Sequence, residues 1–234
     1  ISNMEMSHGS GQTLNDKEAM ASRIAKFFEP GDVINLGIGA PLLVANNVAD
    51  GVLVHTENGC VGVGAQVSRN DPDIPERTQL ESFVNAGGIP FLPVPGAMVM
   101  SHAMSYAIIR GGHLAATVLG AFEVSQEGDL ANWFTPGKFA GMGGAMDLCQ
   151  AKKVIVMTTH CTKKGEPKLL KKCTLPLTCK GQVTHVVTER AVFEFIDGKM
   201  YLKEIREGYD LQNIKDNTDA EFIVADDLKT DVVY

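Results

Sequence analysis

The sequence predicts an α/β fold with a mostly parallel, open sheet, helices on both of its faces, and antiparallel hairpin additions. Short apolar runs with the composition of buried strands recur along the chain, and helical patterns fill many of the intervals between them. The C-terminal third differs, because two β-rich runs, Ala191–Ile196 and Lys199–Ile205, are joined by the hairpin signal Asp197-Gly198. No long linker or change in composition divides the chain, so we predict one domain over residues 14–234.

The N-terminal region predicts a leader followed by an amphipathic helix. Residues 1–13 have no apolar period and contain a Ser/Gly stretch, so we expect a flexible leader or an expression remnant there. Asn15 and Glu18 have the spacing of a capping box, and the apolar residues after them share one helical face until Pro30. The helix should therefore start near Leu14 and stop before Pro30.

Strands and helices then alternate along the chain. The apolar runs predict strands at Val33–Leu36, Val52–Thr56, Ile89–Val94, Ala115–Leu119 and Lys153–Met157, and a last strand at Phe222–Ala225. Helical patterns begin at Pro41, cover Met100–Ile109 and Asp210–Asn217, and are expected directly after Asp147. Four features interrupt these strand and helix patterns. They are Gly62 and Gly64, where we expect a loosened backbone, a polar loop at Ser68–Thr78, prolines 90, 93 and 95 within one strand, and the glycine-rich segment Pro136–Asp147.

Charge and hydropathy exclude two broad classes of protein. The 234 residues include 21 Lys and Arg against 28 Asp and Glu, a net charge of −7, so nucleic acid is not expected as a general partner. The apolar runs are far shorter than the ~20 residues of a membrane-spanning helix, so no membrane span is expected. The five cysteines are odd in number and form no C-x-x-C pair, which predicts reduced thiols and a cytoplasmic location. The histidines show no metal-ligand spacing, and we assign no metal.

Glu57 is the position at which the sequence most clearly indicates chemistry. It directly follows an apolar strand and precedes three closely spaced glycines, Gly59, Gly62 and Gly64. Open α/β sheets bind ligands at the carboxyl ends of their strands, so a carboxylate there is a candidate functional group. The ordinary alternative is a helix-capping acid or a salt-bridged residue in a turn.

The residues around Glu57 also resemble a known family. Thr56-Glu57-Asn58-Gly59 is similar to the Ser-Glu-Asn-Gly signature of the class I coenzyme A transferases, in particular the β subunit of the 3-oxoacid and acetate/butyrate–acetoacetate enzymes. Blocks of the same family follow one another in the same order at Asn35–Gly39, Ile109–His113, Gly128–Trp133, Gly141–Leu148 and Lys172–Thr178. The resemblance extends over nearly everything from Leu14 on. Thr56 departs from the usual serine, since it keeps the hydroxyl group and adds a methyl group.

The resemblance implies a ping-pong transfer of coenzyme A (CoA) between an acyl-CoA and a free carboxylic acid, with Glu57 as the covalent nucleophile that carries a glutamyl-CoA thioester. The implied acyl groups are short: acetoacetyl, acetyl, butyryl or succinyl. The implied partner is an α subunit, in an α2β2 heterotetramer, and CoA is a substrate with no permanently bound cofactor. The alternatives on the same fold are a subunit of a CoA-dependent lyase, a sugar-phosphate isomerase and a sugar-phosphate-sensing regulator.

The resemblance also suggests roles for the residues near Glu57. We expect the backbone N–H groups of Gly143 and Gly144 to stabilise an oxyanion, although a plain packing loop is the alternative. Asn58 is expected to orient Glu57, or else to form an Asx turn. We interpret His55 as a core histidine with satisfied hydrogen bonds, and modulation of Glu57 is the alternative. The expected CoA- or acyl-binding positions are Gly37, Gly39, Gly59, Gly141, Met142 and Ala145.

The phosphate groups of CoA require local positive charge in an acidic protein. The candidates are Lys163, Lys164, Lys168, Lys171, Lys172, Arg69, Arg77 and Arg110. A solvated face is the interpretation that we favour for the run of lysines. Met98, Met100 and Met104 are candidates for an acyl pocket, with core filling as the favoured interpretation.

Overall fold

The computed structural model describes residues 14–67, 83–139 and 141–234. The leader expected over residues 1–13 and the polar loop expected at Ser68–Thr78, with Arg69 and Arg77, lie outside the described residues.

The described chain forms four α-helices, one 3₁₀ helix and fifteen strands. The α-helices are α1 (Leu14–Ala25), α2 (His102–Arg110), α3 (Ala145–Leu148) and α4 (Leu211–Asp216), and the 3₁₀ helix is Ala40–Asn46. The first eight strands are β1 (Val33–Leu36), β2 (Leu53–Thr56), β3 (Cys60–Gln66), β4 (Phe91–Val99), β5 (Ala116–Leu119), β6 (Glu123–Ser125), β7 (Leu130–Ala131) and β8 (Phe134–Thr135). The others are β9 (Lys138–Phe139), β10 (Lys153–Met157), β11 (Leu169–Leu170), β12 (His185–Val187), β13 (Ala191–Ile196), β14 (Lys199–Arg206) and β15 (Ile223–Val232).

A ten-stranded mixed sheet organises these elements, in the order β15-β14-β13-β12-β10-β5-β1-β2-β3-β4. The five central strands, from β12 to β2, all pair in parallel. Antiparallel strands extend both sides, with β12-β13-β14 on one and β2-β3-β4 on the other. The predicted fold class is therefore confirmed, including the Asp197-Gly198 hairpin between β13 and β14.

Both faces of the sheet are covered by apolar side chains. Along β10, Val154 and Val156 contribute to the core on one face, whereas Ile155 and Met157 contribute to the core on the other. This alternation is the two-residue period of a strand. Helix α1 covers the second face, where Ile24 is fully buried. Burial on both sides explains why the central strands read as uninterrupted apolar runs.

The region after Glu57 differs from the expectation of a loosened backbone at Gly62 and Gly64. Both glycines lie within β3, where they let β4 approach closely. A β-carbon on Gly62 would stand 2.9 Å from the α-carbon of Ala97, and one on Gly64 would stand 2.5 Å from the carbonyl oxygen of Leu92. The glycines therefore serve close strand packing, a use that local sequence patterns cannot distinguish from flexibility.

The predicted bounds of two strands were too short. The strand predicted at Ile89–Val94 is β4, which continues to Val99 through Pro93 and Pro95. Proline is tolerated because β4 lies at the edge of the sheet, where the backbone groups on one side form no hydrogen bonds to another strand. The strand predicted at Phe222–Ala225 is β15, the opposite edge, which continues through a charged stretch to Val232.

The helix expected to begin after Asp147 was wrongly placed. Helix α3 begins at Ala145 and already ends at Leu148, after which a turn leads into β10. A helix of four residues is too short to have a substantial dipole, so any stabilisation of an anion there must come from individual N–H groups. None of the described helices has the length and apolar composition that crossing a bilayer requires.

Candidate active site

The parallel strands bring four separate chain segments to one edge of the sheet. Because β1, β2, β5 and β10 run in the same direction, the residues that follow them, Gly37, Glu57, Gly120 and Thr158, share the carboxyl edge. A cleft of about 1090 Å³ opens along this edge. It lies at the place that the strand pattern predicts for a ligand.

The cleft brings together most of the residues singled out in the sequence. Its lining includes Gly37, Glu57, Gly141, Met142, Gly143, Gly144 and Ala145. Gly39, Asn58 and Gly59 do not belong to that lining. Gly37 and the glycine-rich segment before Asp147, which are distant in sequence, therefore line the same space as Glu57.

Glu57 is half-buried and is held by a residue of the neighbouring strand. The side chain of Asn35, on β1, donates a hydrogen bond of 3.4 Å from Nδ2 to Oε2 of Glu57. Burial raises the pKa of Glu57, and the Asn35 hydrogen bond and the charge of His102 oppose that rise. The balance leaves a carboxylate that is more basic than one in water, which improves it as a nucleophile.

Asn58 has a different set of partners from the expected one. Its side chain donates to the carbonyl oxygen of Val84 over 2.7 Å and accepts a 2.8 Å hydrogen bond from the hydroxyl group of Thr56. The hydroxyl oxygen of Thr56 in turn accepts from the backbone N–H of Ala86. Thr56 and Asn58 thus tie the turn to the segment at 84–86, whereas the hydrogen bond to the Glu57 carboxylate comes from Asn35, which sequence reasoning did not single out.

Gly59 is required by the tight turn after Glu57. Its φ is +122°, and an added β-carbon would collide with the carbonyl oxygen of Met100. The N–H of Gly59 donates to Thr56, and its carbonyl oxygen accepts from Met100. Gly59 therefore acts behind the cleft and lets the chain turn back into β3.

His55 is a buried, neutral neighbour of the site. Its Nε2 lies 2.8 Å from the hydroxyl group of Ser105, and its Nδ1 lies 3.2 Å from Nδ2 of Asn35. Burial lowers the pKa of His55 to about 4. The expected core role agrees with this geometry, and the ring contacts Asn35, which in turn contacts Glu57.

Within the glycine-rich segment, Gly144 lies next to Glu57. A β-carbon on Gly144 would stand 3.3 Å from Oε1 of Glu57 and 2.5 Å from the hydroxyl oxygen of Tyr106. The N–H groups of Gly143 and Gly144 donate no hydrogen bond to another residue in the described part of the chain. Both glycines line the cleft, and Gly144 lies beside the carboxylate, so their N–H groups are candidate donors at this site.

One face of α2 supports this segment, and of its residues the sequence singled out Arg110 alone, as a candidate for the CoA phosphates. His102, Tyr106 and Arg110 are spaced at i, i+4 and i+8, with the His102 and Tyr106 rings 4.5 Å apart. Arg110 forms a 2.7 Å ion pair with Asp147 of α3. Burial and the nearby Glu57 carboxylate raise the pKa of Tyr106. The helical spacing was visible, but only the tertiary packing reveals that this face meets the glycine-rich segment.

The methionines considered for an acyl pocket lie elsewhere. Met98 and Met104 are 54% and 56% exposed, and Met100 is half-buried. None of the three belongs to the lining of the cleft. The favoured interpretation as core filling is therefore wrong for Met98 and Met104, which lie on β4 at the sheet edge and on α2 respectively.

Comparisons with known proteins agree with this arrangement. The family model described as coenzyme A transferase matches residues 17–217. The β subunit of the acetate CoA-transferase of Escherichia coli (strain K12) is 47% identical over 221 residues, which cover 93% of this chain and 98% of that protein. A subunit of the succinyl-CoA:3-ketoacid coenzyme A transferase of Helicobacter pylori (strain ATCC 700392 / 26695) is 47% identical over 211 residues, 89% of this chain and 99% of that protein.

Solved structures show the same fold at lower identity. The crystal structure of an acyl-CoA transferase from Escherichia coli O157:H7 superposes with a TM-score of 0.72 at 22% identity, and the match covers 94% of this chain and 44% of that chain. The family model and the two close relatives each span most of the 234 residues. The chain therefore belongs to the coenzyme A transferase family, and within it to the group of β subunits.

Proposed function

We propose that this chain is the catalytic β subunit of an enzyme that transfers CoA between a short-chain acyl-CoA and a free carboxylic acid through a glutamyl-CoA thioester on Glu57. The observation that carries the proposal is the position of the Glu57 carboxylate, which lies half-buried in the cleft beside Gly144, in a segment where the N–H groups of Gly143 and Gly144 have no partner among the described residues. A nucleophile and a pair of donors for the oxyanion are the two parts that acyl transfer requires.

The first half-reaction begins with attack by a Glu57 carboxylate oxygen on the thioester carbonyl carbon. The carbonyl oxygen becomes an oxyanion, for which Gly143 and Gly144 are the donors at hand. The carbon–sulfur bond then breaks, so CoA leaves as a thiolate and a mixed anhydride with Glu57 remains. The thiolate attacks the Glu57 acyl carbon, the anhydride carbon–oxygen bond breaks, and the first acid departs as a carboxylate.

The second half-reaction reverses these steps with a different acid. An acceptor carboxylate attacks the glutamyl-CoA thioester and releases the thiolate, which then attacks the new acyl group and regenerates Glu57. One thioester replaces another, so the exchange is close to neutral in free energy. Asn35 holds Glu57 in place through both halves, because its amide donates to the carboxylate oxygen.

The proposed assembly is a complex with an α subunit, of the form α2β2. The names of the two close relatives support a partner subunit, since each is called a subunit. The volume of the cleft, about 1090 Å³, is at or beyond the upper end of the ~300–1,000 Å³ that small-molecule sites usually have. A space of that size suits a ligand as long as CoA or a site that a second chain completes. The acyl groups proposed are acetoacetyl, acetyl, butyryl and succinyl.

The test is a mass measurement on the complex of this chain with its α partner. The complex is incubated with acetoacetyl-CoA in the absence of an acceptor acid, and the intact chain and its peptides are weighed. We expect an increase equal to one CoA, less the water lost in forming the thioester, on the peptide that contains Glu57.

Two variants make the measurement decisive. Glu57→Gln should carry no adduct, whereas Glu127→Gln, which changes an exposed glutamate in a turn, should carry the same adduct as the parent chain. An unmodified chain in a complex that nevertheless turns over acetoacetyl-CoA and an acceptor acid would refute the covalent role of Glu57.

A further inference from the structure

One lysine of the basic run differs from its neighbours in its surroundings. Lys163, Lys164, Lys171 and Lys172 are exposed, as a solvated face predicts. Lys168 instead is partly buried, and its Nζ donates a 3.0 Å hydrogen bond to the hydroxyl oxygen of Thr158. The backbone N–H of Lys168 also donates to the carbonyl oxygen of His160, which holds the base of the side chain. The ammonium group therefore has a defined position.

That position is the wall of a second, smaller cavity. The cavity has a volume of about 200 Å³ and lies at the carboxyl ends of β1, β5 and β10. Lys168 is the one charged residue among the described residues that line it. Ile38, Gly120 and Ala121 line both this cavity and the Glu57 cleft, so the two spaces are neighbours along the same sheet edge.

The charge of Lys168 is not balanced at close range. No carboxylate of the described residues lies within 4.0 Å of its Nζ. The nearby Glu189 is already engaged, because its carboxylate accepts from the backbone N–H of His160 and pairs with Arg190 at 3.1 Å. Burial lowers the pKa of Lys168, and the attraction of the more distant Glu189 carboxylate offsets only part of that effect. An anion in the cavity would supply a partner at close range.

The Lys168 ammonium also has hydrogen-bonding capacity to spare. An ammonium group carries three donors, and one of them is used by Thr158. Thr158 itself is fixed, since its hydroxyl group donates to the carbonyl oxygen of Ala121 over 3.1 Å. The remaining donors suit an oxygen anion such as a phosphate or a carboxylate.

We propose that Lys168, positioned by Thr158, forms an anion subsite that binds a phosphate or carboxylate group of a ligand whose reacting end lies at Glu57. This inference rests on the proposed function. Three strand spacings separate the end of β10 from the end of β2, roughly 14 Å along the edge. A short carboxylic acid at Glu57 does not reach that far, whereas the long pantetheine arm of CoA separates its sulfur from its phosphates. The geometry therefore favours a CoA phosphate as the anion.

The test measures binding without chemistry, on the complex of this chain with its α partner. Desulfo-CoA, which has the phosphates but no thiol, and succinate, which has only carboxylates, are titrated calorimetrically. Lys168→Met should weaken desulfo-CoA binding about tenfold, the effect of losing one charge-assisted hydrogen bond, and leave succinate binding unchanged. Lys163→Met and Lys164→Met, which change exposed lysines of the same segment, should stay within about twofold of the parent.

The other outcomes are equally informative. Weaker binding of succinate alone would overturn the proposal, because a short acid held at Glu57 does not reach Lys168. Unchanged affinity for both ligands in a folded Lys168→Met complex would overturn the proposal and leave Lys168 with only its bond to Thr158.

A second measurement does not depend on the variant being stable. Acetylation of the parent complex by acetic anhydride, mapped by mass spectrometry, should be suppressed at Lys168 by saturating desulfo-CoA and remain unchanged at Lys163. Equal acetylation of Lys168 with and without both ligands would contradict the subsite. Failure of the proposed function is distinguishable, because a complex that binds desulfo-CoA through Lys168 and forms no adduct on Glu57 retains the subsite and loses the mechanism.

Discussion

Asn35 on β1 donates its side-chain amide to the carboxylate of Glu57 at the end of β2, over 3.4 Å. The two strands are parallel neighbours, and Asn35 pairs with His55, the residue two positions before Glu57. The Asn35 side chain can therefore reach the Glu57 carboxylate from the neighbouring strand. The same amide also contacts the ring and the carbonyl oxygen of His55. The nucleophile proposed here is therefore oriented from the adjacent strand and not from its own turn.

Replacing Asn35 by alanine should lower kcat about tenfold to a hundredfold. A hydrogen bond to a charged group contributes about 1.5–3 kcal/mol, and its loss frees the Glu57 carboxylate to turn away. The Asn35 bond also lowers the pKa of Glu57, so its removal should shift the acidic limb of the pH–rate profile to higher pH. The profile is measured for both chains in complex with the α partner. A lower kcat with an unshifted profile would indicate a general structural defect and contradict the assigned role.

Gly144→Ala should abolish most of the activity because of a steric conflict. The new methyl group would stand 2.5 Å from the hydroxyl oxygen of Tyr106 and 3.3 Å from Oε1 of Glu57. Adding Tyr106→Phe removes the first conflict and should recover part of the lost kcat. Gly120→Ala is a matched control, since it changes a glycine of the same cleft whose β-carbon would meet nothing within 4 Å. Equal losses in Gly144→Ala and Gly120→Ala would refute the steric explanation.

Glu57→Gln should raise the thermal stability of the chain at neutral pH while it removes activity. Burial raises the pKa of Glu57 above 4.5, so the folded state binds this proton more tightly than the unfolded state does. The resulting stability is present below pH 4.5 and is lost as the pH rises through the folded-state pKa. Glutamine stays neutral at every pH in this range, so the variant does not lose this stability. The melting temperatures of the two chains should differ at pH 7 and converge at pH 4, and a constant difference would contradict the assigned ionisation.

Acid should destabilise the fold through His160, which lies away from the cleft. The ring is fully buried, Nδ1 is 3.0 Å from Thr188 and Nε2 is 2.9 Å from Thr218, and burial lowers its pKa from 6.5 to about 3. A lowered histidine pKa contributes stability above pH 6.5 that is lost as the pH falls toward 3, by up to about 1.4 kcal/mol per pH unit. Urea unfolding between pH 7 and pH 4 should show a shallower decline for His160→Asn. Parallel curves would show that other groups carry the acid sensitivity.

Local sequence patterns were sufficient for the central strands and for the position of Glu57. The run Val33–Leu36 is β1 without any correction, and Lys153–Met157 is β10 with the predicted bounds. A strand buried on both faces needs apolar side chains throughout, so its composition alone identifies it. The parallel arrangement then places the residue after each strand at one edge, so the strand pattern made Glu57 a candidate, and the resemblance to the coenzyme A transferases singled it out.

The sheet edges and the surroundings of Glu57 were not predictable in the same way. Strand β4 accommodates two prolines because it is an edge strand, with a hydrogen-bonded neighbour on one side only. A proline-rich run does not by itself indicate whether a strand will lie at the edge of a sheet. Asn35 is separated from Glu57 by 22 positions, and strands β3 and β4 lie between Glu57 and Tyr106 in the chain. Their contacts arise from strand order and helix packing, which are properties of the assembled sheet.

The same distinction applies to the lysines between 163 and 172. Charge spacing identifies a basic run and predicts a solvated face, which is correct for the exposed members. Lys168 is an exception because its backbone is bonded to His160 and its ammonium group to Thr158, at the end of a strand that comes earlier in the chain. Amino-acid types and their local period thus dictate which segments are buried and which residue stands at the end of a central strand. Strand order and packing, which bring distant positions within a few ångströms, dictate which side chains orient that residue and which cation turns inward.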